Sequence, residues 1–79
     1  MFFIRNEVIE LDDQKKYIIL DITLLNSKVF YQIREVDSQT NNVLGEAKYI
    51  TVINENSDLY VEEVHEEEKL SKLKTIFTS

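Results

Sequence analysis

Residues 16–25 (Lys-Tyr-Ile-Ile-Leu-Asp-Ile-Thr-Leu-Leu) and 29–36 (Val-Phe-Tyr-Gln-Ile-Arg-Glu-Val) flank the dipeptide Asn26-Ser27 with matching apolar alternation. Alternate side chains of a strand share a face. Ile18, Leu20, Ile22 and Leu24 therefore form one apolar row, while Tyr17, Ile19, Asp21, Thr23 and Leu25 form a mixed one. Asn tolerates positive φ, which suits Asn26-Ser27 to the tight loop of a hairpin. That loop sets Leu25 opposite Lys28, Leu24 opposite Val29, Ile22 opposite Tyr31 and Leu20 opposite Ile33. The last three pairs are apolar, and a slip of one residue would misdirect all of them. An antiparallel hairpin is expected here.

The same grammar continues on both sides. Residues 2–11 read as an additional strand, ended by Asp12-Asp13-Gln14. Asp37–Asn42 is rich in turn residues and reads as an exposed loop. A second hairpin joins 47–53 to 59–65 through Asn54-Glu55-Asn56-Ser57, pairing Val52 with Leu59, Ile50 with Val61 and Lys48 with Glu63. The period then changes. Leu70, Leu73, Ile76 and Phe77 mark one face of a helix over about 67–77. Acids at Glu66, Glu67 and Glu68 followed by Lys69, Lys72 and Lys74 suit the helix dipole, and Glu68–Lys72 is a favourable i,i+4 pair.

Leu, Ile, Val and Phe supply 28 of the 79 residues, enough to build a core and well above the range of disordered chains. A chain this short carries a single domain, 1–79, with one modest core. The expected fold is α+β, mainly β: a five-stranded antiparallel small barrel of SH3-like type, or a curled sheet, with one short C-terminal helix. An open meander with the helix packed across it is the next alternative.

The stretch Asp12-Asp13-Gln14-Lys15-Lys16-Tyr17-Ile18-Ile19-Leu20-Asp21, followed by Asn26-Ser27-Lys28-Val29-Phe30-Tyr31, resembles a group of small uncharacterised bacterial proteins. Those are built on an Asp-Gly-Lys-x-Tyr strand, an Asn-Gly-Lys hairpin and a Tyr-bearing return strand, and they close with an acidic segment and a Leu-rich helix. The resemblance implies a small SH3-like β fold and carries over no site residue. Here Gln14 and Ser27 stand where glycine is usual in that pattern.

Composition removes several chemistries. The chain has no cysteine, one histidine, one glycine and no proline. A disulfide framework, a thiolate zinc site, a cysteine nucleophile, a two-imidazole site and a glycine-rich phosphate loop are all excluded. The net charge of −6 disfavours direct binding to nucleic acid or to an anionic membrane. The apolar runs are far shorter than a transmembrane span. Met1–Glu7 lacks the basic lead of a signal peptide, so a cytoplasmic location is expected. Scarce Gly, Ala, Arg and Pro beside abundant Ile, Asn, Lys and Glu suggest an AT-rich bacterial, phage or mobile-element source.

His65 is the single side chain that titrates near neutrality, and Glu63 or Glu67 would be its assistants, with Ser57 or Ser71 as nucleophile. Nothing around them matches a catalytic signature, and a surface histidine at a strand–helix junction is the reading the context favours. Asn54-Glu55-Asn56-Ser57-Asp58 lacks the glycine and distal glutamate of a calcium loop. No cofactor or metal is implied. Tyr17, Tyr31, Tyr49, Tyr60 and Phe30 read as core and rim packing, because a base-stacking platform would come with a basic groove.

The acidic block is the unusual feature. Residues 55–68 hold seven acids and no Lys or Arg. They form either a solvated face or a contact surface for a basic partner, with Asp58, Glu62, Glu63, Glu66 and Glu67 as its candidate residues. The expected function is a small non-enzymatic protein–protein interaction module. The alternative is an acidic inhibitor that imitates nucleic acid on a phage or host enzyme, since spaced carboxylates on a rigid sheet mimic phosphates. Homodimerisation through a free strand edge is the further option for a chain of this size.

Overall fold

The computed structural model describes residues 3–78. Five strands follow one another in an antiparallel meander: β1 (Val8–Glu10), β2 (Lys16–Leu25), β3 (Lys28–Val36), β4 (Val43–Glu55) and β5 (Asp58–Glu63). The helix α1 (Glu67–Thr78) follows. Every strand neighbours the next in sequence, and the sheet is curled into a half-barrel. Of the arrangements expected, the curled sheet is the one formed, because β1 and β5 remain edges and do not pair with each other. No helix among the described residues is long and apolar enough to cross a membrane.

Two irregularities produce the curl. Between Ile19↔Ile33 and Asp21↔Gln32, Leu20 is an extra residue in β2. Between Ile33↔Lys48 and Glu35↔Leu44, the β4 segment 45–47 stands against Arg34 alone. Bulges bend the strand that carries them and raise its twist. Each is held by polar groups. The Asp21 carboxylate accepts from the Ile22 N–H at 2.8 Å and from Arg5 Nη2 at 2.7 Å, and the Arg34 Nε donates to the Gly45 carbonyl at 3.0 Å. Gly45, the single glycine, sits there at φ 66.

The Leu20 bulge corrects the expected face of β2. Near the turn the register is as expected, with Leu24↔Val29 and Ile22↔Tyr31. Beyond the bulge the parity switches, so Tyr17 and Ile19 enter the core in place of Ile18 and Leu20. Ile33 consequently pairs with Ile19, and Leu24 lies exposed at the hairpin tip. An inserted residue leaves no mark in the apolar/polar pattern, because both rows of this strand are rich in apolar side chains.

Both faces of the sheet are used. On one, Tyr17, Ile19, Tyr31, Ile33 and Ile50 form a buried cluster, with Phe3, Ile9 and Leu11 packed against it. Phe3 meets Tyr31 edge-on at 5.1 Å between ring centres. On the other, Phe30, Tyr49 and Val64 receive Leu73 of α1, and Tyr49 stacks on Phe77 at 5.6 Å. The helix face expected from Leu70, Leu73, Ile76 and Phe77 is the one that docks, with Leu73 fully buried.

Four differences from the expected strands and pairing bear on the site. The strand expected over 2–11 shortens to Val8–Glu10, and Phe2 lies outside the described residues. Before it, a turn at Arg5-Asn6 is closed by Glu7 N–H to the Ile4 carbonyl at 3.2 Å, with Asn6 at φ 70. β4 starts at Val43 rather than 47, because the chain resumes pairing on the far side of the Gly45 bulge. β5 covers Asp58–Glu63 rather than 59–65.

The fourth difference is the register of the second hairpin. Its loop is Asn56-Ser57, both at positive φ (52° and 70°), and not the four-residue Asn54–Ser57. This repeats the geometry of Asn26-Ser27 (52° and 65°), the type I′ pattern whose twist matches paired strands. Val52 therefore faces Val61 and Ile50 faces Glu63, a shift of one pair that keeps every side chain on its expected face.

Candidate functional site

The acidic residues lie on β5 and the approach to α1. Asp58 opens β5 opposite Glu55, and the Tyr60 hydroxyl reaches its carboxylate at 3.4 Å. Glu62 pairs with Thr51 and Glu63 with Ile50, so the two carboxylates project from opposite faces of the sheet. Glu66 precedes the helix, where its carbonyl accepts from the Leu70 N–H at 2.9 Å, and Glu67 is the first helical residue. The five candidates thus fan out along one edge; Glu62, Glu63 and Glu66 border one hollow, and Asp58 and Glu67 lie outside it.

Lysines temper this acidity. Glu63 lies 4.0 Å from Lys48 Nζ and 3.9 Å from His65 Nδ1. Glu66 pairs with Lys69 at 3.9 Å, and Glu68 with Lys72 at 3.6 Å in the expected i,i+4 arrangement. On the helix side of the sheet, Glu62 and Glu66 share a hollow of about 320 Å³ with Lys28 and Lys69. Pairs this exposed stabilise by less than about 1 kcal/mol each, but they break the negative surface into patches. His65 is 78% exposed, and no hydrogen bond among the described residues joins it to Ser57 or Ser71. Among the described residues, no group of three or more His, Cys, Asp or Glu is placed to hold a metal ion.

Sequence reasoning placed Leu59 and Val61 on the apolar face, and that is where they are. It did not anticipate that this stretch would stay open. Leu59, Tyr60 and Val61 are 56%, 52% and 41% exposed, a continuous apolar run on an edge strand. The curl brings it opposite the end of β1. Leu59, Tyr60, Val61 and Glu63 line one side of a cleft of about 540 Å³, and Glu10, Leu11, Asp12 and Asp13 line the other, with Ile50 between them. The available signal was the position of β5 as last strand of a meander, which leaves it one neighbour instead of two.

The far wall of the cleft is fixed by hydrogen bonds around Asp13. The Tyr17 hydroxyl donates to its carboxylate at 2.6 Å and the Lys15 N–H at 2.9 Å. These two bonds, the hydroxyl foremost, hold the Asp13 carboxyl below its usual range. In return, Tyr17 is pushed up to about 12, first by the bond to Asp13 and then by burial. Gln14, at the glycine-like position of this turn, adopts φ 65. Asp21 is also lowered, by the Ile22 N–H and by Arg5.

The backbone phase of β5 follows from one bond. The Val64 N–H donates to the Tyr49 carbonyl at 2.8 Å, which makes Tyr49 and Val64 a hydrogen-bonded pair. Bonded and non-bonded pairs alternate along an antiparallel ladder. Asp58, Tyr60 and Glu62 therefore bond to β4, while the N–H and C=O groups of Leu59, Val61 and Glu63 point away from it. Compared with known proteins, the chain matches no family model, no curated protein and no solved structure.

Proposed function

We infer that the chain is a small non-enzymatic protein–protein interaction module whose contact surface is the edge formed by β5 and the start of α1, residues 58–68. The observation that carries this reading is the apolar run Leu59-Tyr60-Val61, left exposed on a free strand edge and bordered by Asp58, Glu62 and Glu63. An apolar centre with a charged rim is the usual anatomy of a protein contact surface. The β5 edge has no lysine, proline or bulge; its guard is the acids Asp58, Glu62 and Glu63, which repel another acidic strand and admit a basic one. Phosphate mimicry is the weaker reading, since Glu63, Glu66 and Glu68 face lysines and Glu62 and Glu63 project oppositely.

The test is affinity capture from host lysate at low and high salt with three forms of the tagged chain. The first is unaltered, the second carries Leu59→Asp with Val61→Asp, and the third carries Glu62→Lys, Glu63→Lys, Glu66→Lys and Glu67→Lys. The expected result is a protein partner that survives high salt, is lost with the first pair of substitutions and tolerates the charge reversals. Loss on charge reversal and at high salt, with a nucleic-acid enzyme as the captured protein, would establish mimicry instead. Capture unaffected by either set would remove this edge from consideration.

A further inference from the structure

We propose that the cleft between β5 and the β1–β2 turn accepts an extended, basic–apolar segment of a protein partner, which adds to β5 as a sixth strand. This rests on the interaction reading above and names its ligand chemistry. The backbone edge of the cleft and its volume agree. The ladder phase directs backbone groups of Leu59, Val61 and Glu63 outward, without a strand neighbour among the described residues, and these same residues line the cleft. Strand addition uses such groups for affinity and the adjoining side-chain hollows for specificity. The volume, about 540 Å³, falls within the range of recognition pockets.

Charge decides the occupant. Glu10, Asp12, Asp13 and Glu63 line the cleft and no lysine does; Lys15 and Lys48 act on Asp13 from behind the wall, Lys48 over the Tyr17 ring at 5.4 Å, and Lys16 pairs with Glu10 along the strand. The apolar lining is Leu11, Ile50, Leu59 and Val61. A strand whose alternate residues are valine-like and lysine-like turns its apolar side chains toward Ile50 and its ammonium groups to the opposite face, where Glu62 of β5 and Glu10 of β1 lie. A second copy of β5 does not fit, because its own Asp58, Glu62 and Glu63 would bring further acids to an acidic wall.

The experiment uses the full 15N-labelled chain and synthetic octapeptides with blocked ends. One alternates lysine with valine, a second is the same peptide N-methylated at alternate residues, and a third has glutamate for lysine. The first is expected to shift the amides of Leu59, Val61 and Glu63 together with those of Glu10–Asp13. It should also slow hydrogen exchange at the three β5 amides at least tenfold. The methylated peptide keeps the charge and loses the ladder, so its affinity should fall at least tenfold, and the acidic peptide should not bind. Val61→Pro removes one outward N–H without touching the β4 ladder and should weaken binding to a similar degree. Should that variant unfold, Leu59→Lys with Val61→Lys gives the same reading by repulsion. Equal binding by the methylated peptide, or shifts that map elsewhere, would overturn strand addition. Concentration-dependent shifts at β5 without peptide would overturn it in favour of self-pairing. Failure here alongside lysate capture that still depends on Leu59 and Val61 refutes the strand-addition geometry alone, whereas loss of both refutes the module.

Discussion

The hairpins β2–β3 and β4–β5 are turned by the same dipeptide in the same conformation, yet their return strands lead opposite lives. In β3, Tyr31 and Ile33 are fully buried, while in β5 Leu59, Tyr60 and Val61 are about half exposed. β3 has five β-branched or aromatic residues in nine and β5 two in six, so composition already leans the same way, but neighbours differ more. β3 has β2 on one side and β4 on the other; β5 has β4 alone. A tight turn sets register, and the number of neighbours sets burial. Hairpins with equal turns therefore divide into one that builds the core and one that presents a surface.

The strongest way to break this comparison is to truncate equivalent positions. Ile33→Ala should cost about 3 kcal/mol, the range for emptying a buried aliphatic site, and Val61→Ala less than about 1 kcal/mol. Urea unfolding of both variants checks this. Similar losses at the two sites would mean that β5 is covered in solution and that its exposure is not a property of the free chain.

A second prediction concerns alkali, which should loosen the first hairpin at its link to the β1–β2 turn. Tyr17 has its pKa raised to about 12 from 10.0 by the bond to Asp13 and by burial. The folded chain holds this proton more tightly than the unfolded one, so the contribution is full below about pH 10 and is lost as pH rises towards 12. Thermal melts across that window should show a falling midpoint that Tyr17→Phe flattens. An unchanged slope in that variant would place the alkaline loss elsewhere. Asp13 and Asp21 act in the opposite sense: with lowered values, their contribution is present above about pH 3.8 and fades as pH drops below it.

The smallest effect sharpens the comparison at the turns themselves. Ser27 and Ser57 both occupy positive φ, where glycine is free of the Cβ penalty. Ser27→Gly and Ser57→Gly should each stabilise by roughly 0.5–1 kcal/mol, and by nearly equal amounts, since the two turns share one geometry. Denaturant midpoints would show it. A gain at one turn only would mean that the hairpins are not locally equivalent.

Much of the architecture was legible because it depends on neighbours in sequence. The β2–β3 turn, the limits of β2, the 37–42 loop and the docking face of α1 all follow from turn chemistry and periodicity. The second turn was readable too, since Asn56-Ser57 repeats Asn26-Ser27. It was obscured by the polar residues Asn54 and Glu55, which are strand residues here only because β5 pairs with them. The bulges were not legible. Leu20 is as good a strand residue as its neighbours, and the contact that accompanies its displacement, Asp21 carboxylate with Arg5 guanidinium, spans 16 positions of chain.

The candidate site divides along the same line. The sequence by itself determined that acids crowd 55–68, that Glu62 and Glu63 must diverge on a strand, and that an apolar triplet sits among them. Only the tertiary structure decided that this triplet stays open and that Glu10, Asp12 and Asp13 stand across a cleft from it. Periodicity reports which face a side chain takes. Whether anything covers that face depends on how far two bulges curl the sheet, which is a property of the assembled strands.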